Sequence, residues 1–173
     1  NYTWQQNLTG FSRGAITAGD IDNDGDPDMI IIGCKTGGDT CDATSSLARV
    51  YINNGTSFNE NISWQQNLTP VYWGSIDLGD INNDGRLDLA LTGRDSSSYY
   101  SKIYINNGTS FNSNIIWQQS LIGVYESSIA FGFIDGDSLI DLVITGRDSG
   151  TNKYASAYIN NGSSFYENTD YGQ

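Results

Sequence analysis

Apolar and polar positions along the chain fall into short runs that recur three times. Met29-Ile30-Ile31-Ile32, Leu89-Ala90-Leu91 and Leu142-Val143-Ile144 are apolar without alternation, the pattern of a strand buried on both faces. Ahead of them lie small, mixed segments, Gly14 to Ala18, Gly74 to Leu78 and Ser127 to Gly132, suited to an inner strand near a crowded axis. Behind them, Arg49 to Asn53, Lys102 to Asn106 and Ser156 to Asn160 alternate, as half-buried strands do. Asn54-Gly55, Asn107-Gly108 and Asn161-Gly162 follow at once; Asn and Gly tolerate positive φ and mark hairpin turns. A fourth strand is expected from Phe58 to Trp64 and from Phe111 to Trp117. No helical periodicity is visible.

The repetition extends beyond the strands. Trp4-Gln5-Gln6-Asn7-Leu8-Thr9 returns as Trp64-Gln65-Gln66-Asn67-Leu68-Thr69 and again as Trp117-Gln118-Gln119-Ser120-Leu121. Four antiparallel strands in each of three long repeats describe propeller blades. The expected fold is therefore all-β, three four-stranded antiparallel propeller-type blades in one repeat domain, 1–173. The divisions are 1–9 as a surplus fourth-strand segment, 10–66 as blade 1, 67–119 as blade 2 and 120–173 as blade 3. Closed propellers have about four to eight blades, so three do not close a ring on their own. The surplus strand, Asn1 to Gln6, then belongs to a further blade or pairs with a neighbouring copy.

Between the first and second strands of each blade runs an acidic loop. Asp20-Ile21-Asp22-Asn23-Asp24-Gly25-Asp26-Pro27-Asp28 is matched by Asp80-Ile81-Asn82-Asn83-Asp84-Gly85-Arg86-Leu87-Asp88. Oxygen side chains at positions 1, 3, 5 and 9 of a tight turn suit calcium, which takes about six to eight oxygens at ~2.3–2.6 Å. Position 7 contributes its backbone carbonyl, so Asp26 and Arg86 share one place. An EF-hand would carry Glu at position 12 between helices, whereas Ile31 and Leu91 stand there. Asp28 and Asp88 are left to close the cage. The third copy keeps Asp135, Asp137 and Asp141, but Phe133 replaces the first carboxylate and Ser138 the glycine, so weak or no metal binding is expected there. Solvated Asp/Asn/Gly turns between strands are the plainer alternative.

Charge and composition narrow the function. Twenty acidic against eight basic residues give a net charge of −12. That surface argues against nucleic acid, whose phosphates need clustered Lys and Arg. No apolar run approaches membrane-spanning length. Histidine is absent, which removes the usual general base and leaves no nucleophile–base pair; an enzyme is not expected. Cys34 and Cys41, seven apart, read as a loop-stapling disulfide of an oxidising compartment, with two free thiols as the alternative. Sequons begin at Asn1, Asn7, Asn54, Asn61, Asn67, Asn107 and Asn161 and favour a secreted, glycosylated protein.

The loop at 79–89, with Tyr-Ile-Asn-Asn-Gly and Ser-Phe downstream, resembles the FG-GAP/VCBS repeats of integrin-α-like propellers. The resemblance spans all three repeats. It implies calcium held by Asp20, Asp22, Asp24, Asp28, Asp80, Asn82, Asp84 and Asp88, and in the third repeat only by Asp135, Asp137 and Asp141. Two functions fit. One is an extracellular or cell-surface, calcium-stabilised structural or adhesion module that assembles with copies of itself, as a ring or filament, through open blade edges. The other is a fragment of a larger propeller that binds a carbohydrate or protein ligand, with Tyr72, Trp73, Tyr99, Tyr100 and Tyr125 as stacking surfaces or ordinary blade packing.

Overall fold

The computed structural model describes residues 8–35, 41–42, 44–150 and 152–168. They form three four-stranded antiparallel sheets, each with its strands in sequential order. The first sheet holds β1 (Ser12–Gly19), β2 (Asp28–Cys34), β3 (Ser46–Asn53) and β4 (Phe58–Glu60). The second holds β5 (Ile76–Gly79), β6 (Asp88–Arg94), β7 (Tyr99–Asn106) and β8 (Phe111–Ser113). The third holds β9 (Tyr125–Gly132), β10 (Asp141–Arg147), β11 (Lys153–Asn160) and β12 (Phe165–Asn168). The surplus segment Asn1 to Gln6 lies outside the described residues.

The cores sit between sheets rather than within them. Ile30, Ile32 and Val50 of the first sheet pack with Ile76, Leu89, Leu91 and Tyr104 of the second. Ala90 and Ile103 of the second pack with Ile129, Leu142, Ile144 and Tyr158 of the third. Burying one such aliphatic or aromatic side chain contributes roughly 1.5–3 kcal/mol, so each junction rests on several independent contributions. Two-sided burial holds throughout β2 and β6, apart from half-buried Ile31 and Arg94. It fails in β10, where Val143 and Thr145 are only half-buried, because among the described residues no further sheet packs on the outer face of the third.

The expected fourth strands are corrected. Only Phe58–Glu60 and Phe111–Ser113 are extended, and the chain then forms one-turn helices, α1 (Ile62–Gln65) and α2 (Ile115–Gln118). Asn61 caps the first: its side-chain oxygen accepts from Ser63 and Trp64 N–H, the interaction that makes Asn a strong N-cap. Asn114 does the same for Ile116 and Trp117. The turn nevertheless completes the ladder of the strand beside it. Asn61 N–H donates to the Val50 carbonyl, and the Gln65 side-chain oxygen accepts from Val50 N–H at 3.1 Å. Asn114 and Gln118 serve Ile103 in the same way. Each turn also seats its tryptophan on the next sheet: Trp64 meets Phe111 edge-on with ring centroids 5.3 Å apart, and Trp117 meets Phe165 at the same distance.

Candidate metal centres

The first acidic loop joins β1 to β2. Asn23 and Gly25 adopt φ of 61° and 97°, left-handed conformations that Asn and Gly visit at low cost. The reversal turns backbone N–H groups inward: Asp20 accepts from Asp24 N–H at 3.0 Å and Gly25 N–H at 2.9 Å. Asp24 accepts from Asp26 N–H at 2.9 Å. Asp28 is buried and takes Ile21 N–H on one oxygen at 2.9 Å and Asn53 N–H on the other at 2.8 Å.

Carboxylate oxygens of Asp20, Asp22 and Asp28 lie within 4.8 Å of one another. Two oxygens sharing one calcium at ~2.3–2.6 Å stand at most about 4.6–5.2 Å apart, so the spacing fits a common cation. One oxygen of Asp22, Oδ1, is buried without a hydrogen-bond partner, a costly arrangement unless something positive completes it. Burial, then the charge of Asp24, pushes the Asp22 carboxyl above its ordinary range. Burial also raises Asp28, against the two backbone N–H groups that favour its charged form. The Asp26 carboxylate lies instead beside Gly55, where an added Cβ would come within 3.0 Å of it. Of the position-7 residue, only the backbone carbonyl is then left to serve as a ligand.

The second loop repeats the frame but fills it differently. Asp80 accepts from Asp84 and Gly85 N–H, and buried Asp88 accepts from Ile81 and Asn106 N–H. Burial pushes the Asp88 carboxyl up to about 6, against those two bonds and with smaller pushes from Asp84 and Asp80. Arg86, expected to offer only its carbonyl, also turns its guanidinium onto Asp84 at 2.8 Å. Asn82 donates to the same Asp84 oxygen. Asp80, Asp84 and Asp88 are not drawn into a cluster of the Asp20, Asp22 and Asp28 kind; among the described residues that trio is the one such group.

In the third loop Phe133 is 64% exposed, and no first-position carboxylate gathers the turn. Asp137 N–H bonds to Asp135 instead, and Asp137 accepts from Leu139 N–H. Asp141 keeps the structural role of its equivalents, accepting from Ile134, Asp135 and Asn160 N–H.

Sequence reasoning missed Asn53, Asn106 and Asn160. Each presents its N–H to the buried aspartate and its side-chain oxygen to the turn glycine two residues on. The signal was the doubled Asn of the recurring Ile-Asn-Asn-Gly, of which only the second residue reads as a turn former.

Residues 20–91 match the family model of an FG-GAP-like repeat. The match is consistent with FG-GAP-type repeats. It runs from the first residue of loop one into β6, so it takes in both complete acidic loops. No curated protein matches the chain.

Cys34 and Cys41 form a disulfide, packed with Tyr72 at the junction of the first two sheets. Asn54, Asn107 and Asn161 each gather the N–H groups two and three residues on into a tight turn. Asn61 caps α1, and Asn67 donates to the Phe111 carbonyl at 3.1 Å. Asn1 and Asn7 lie outside the described residues. Tyr72, Trp73, Tyr99 and Tyr125 surround the Arg94 guanidinium at 5.0–6.0 Å. Tyr100 stands apart, beneath Lys102 and hydrogen-bonded to Asp95. Among the described residues no helix is long and apolar enough to cross a membrane.

Proposed function

We propose that this chain is a non-catalytic, calcium-stabilised structural or adhesion module of an extracellular or cell-surface protein, one that assembles with copies of itself through the open faces of its end blades. The observation that carries the calcium part is the convergence of Asp20, Asp22 and Asp28 around the partnerless Oδ1 of Asp22. A hard divalent cation there supplies the positive charge that these three carboxylates lack. Asp28 also holds Asn53, so ordering the loop tightens the end of β3 as well. The Cys34–Cys41 bridge supports an oxidising compartment.

Metal that binds the folded form alone raises stability by mass action. The test is differential scanning calorimetry of the whole chain in chelator and in millimolar calcium. A melting temperature that rises with calcium supports the reading, and identical curves contradict it. The second reading, a piece of a larger propeller that binds carbohydrate or protein, draws on the aromatic group around Arg94. Those rings already contact one another and the guanidinium, which favours packing over an open stacking platform.

A further inference from the structure

Within the chain one blade meets the next twice, and both junctions use the same positions. The Asn106 side-chain N–H donates to the Ile21 carbonyl of the preceding blade at 2.8 Å, and Asn160 donates to Ile81 at 2.9 Å. Ile76 pairs with Leu91, and Ile129 with Ile144, to make the apolar faces pressed on the preceding sheet. Glycine admits the close approach on the other side. A Cβ on Gly19 would come within 2.7 Å of Leu87, and one on Gly79 within 3.0 Å of Ile140 and Phe131.

The end blades carry the two unmatched halves of this junction. Ile16, equivalent to Ile76 and Ile129, is 62% exposed where they are 6% and 7%. Its cross-strand partner Ile31 is half-buried. Asn53 donates one side-chain N–H to Pro27, whereas Asn106 and Asn160 use both their side-chain N–H groups. On the third blade, Gly132 has nothing within 4 Å of its Cβ position. Val143 is half-buried where its equivalents Ile30 and Ala90 are fully buried. Phe133, which follows Gly132 in the chain, is exposed.

We infer that the first blade of one copy docks head to tail on the third blade of a second copy, repeating the internal junction. Ile16 and Ile31 cover the partner's Gly132 and Val143, and Asn53 donates its second side-chain N–H to the partner's Ile134 carbonyl, the position equivalent to Ile21 and Ile81. This rests on the assembly reading above and specifies its surface. A second copy is the occupant because the contact continues one the chain already makes with itself, and a heterologous contact of this kind leads to a ring or a filament.

The test uses sedimentation velocity of the full chain over a range of concentrations, with Ile16→Lys and Gly132→Leu. Both substituted positions are open in the single chain, so each variant keeps the parent's calcium-dependent melting. The parent associates, and each variant weakens association roughly tenfold or more, as loss of a central contact does. Mixing the two variants in equal amounts restores a one-to-one dimer, because each retains the face that the other lacks. A parent that stays monomeric, variants that associate as the parent does, or a mixture that fails to pair overturns the docking. Absence of a calcium response in the parent bears on the metal sites alone, so the two failures are distinguishable.

Discussion

The side-chain N–H of Asn106 reaches the Ile21 carbonyl, 85 residues earlier in the chain, at 2.8 Å in a buried setting. The same amide holds Leu87 and the Gly108 N–H, so one residue ties an acidic loop, a hairpin turn and the preceding blade together. Asn53 makes the corresponding bonds within its own blade but reaches no carbonyl of a preceding blade among the described residues. Asn106→Ala is expected to cost more stability than Asn53→Ala by about 1–3 kcal/mol, the cost of leaving a buried polar group unsatisfied. Urea unfolding of the two variants measures the difference; equal losses would count against the inter-blade bond.

Asp24 and Asp28 belong to one loop but to different jobs. Asp28→Ala strands the buried Ile21 and Asn53 N–H groups, each at ~1–3 kcal/mol, so it destabilises with or without calcium. Asp24→Ala removes one exposed bond to Asp26 N–H, so its loss of melting temperature should appear mainly when calcium is present. Thermal melts of both variants in chelator and in calcium decide this, and a calcium-independent loss in Asp24→Ala would sink the distinction.

Much of this division was legible in the sequence, and part was not. The three sheets were readable because the apolar runs after Asp28, Asp88 and Asp141 recur in register, and strand burial depends on that pattern. The turns at Trp64 and Trp117 were not, because one helical turn is too short to show a 3.6-residue period. Their aromatic residues also match a strand as well as a turn. The candidate site was half legible. Spacing identified the aspartates, but Asp20, Asp22 and Asp28 converge while Arg86 occupies Asp84, and only side-chain placement distinguishes those outcomes.

Tyr104 and Tyr158 supply a pH dependence. Burial pushes both hydroxyls above their ordinary value of 10.0, against hydrogen bonds such as the Thr69 contacts to Tyr104. The folded state therefore holds the phenolic protons more tightly than the unfolded state. Their contribution is complete below pH 10 and is lost as pH rises through the folded values. Absorbance titration should show at least two tyrosines ionising late, together with unfolding. Reversible ionisation of all the tyrosines near their ordinary value would contradict this.

Reduction of the Cys34–Cys41 bridge should lower stability by about 2–3 kcal/mol on chain-entropy grounds. Because the bridge packs on Tyr72, loosening should spread to the junction of the first two blades. Hydrogen exchange around β2 and Val71 in oxidised and reduced protein reads this. Two alkylatable thiols in the native chain would show that the bridge is not formed.

The most direct measurement is isothermal titration of calcium into the parent and into Asp22→Ala. The Asp22 carboxylate draws only on the Asp24 N–H from a neighbouring residue, a group that Asp20 also holds, and its buried Oδ1 has no partner, so its removal should leave the fold intact. The account predicts saturable heat in the parent and loss of the tightest site in Asp22→Ala. No calcium heat in the parent, or an unchanged isotherm in the variant, would contradict it.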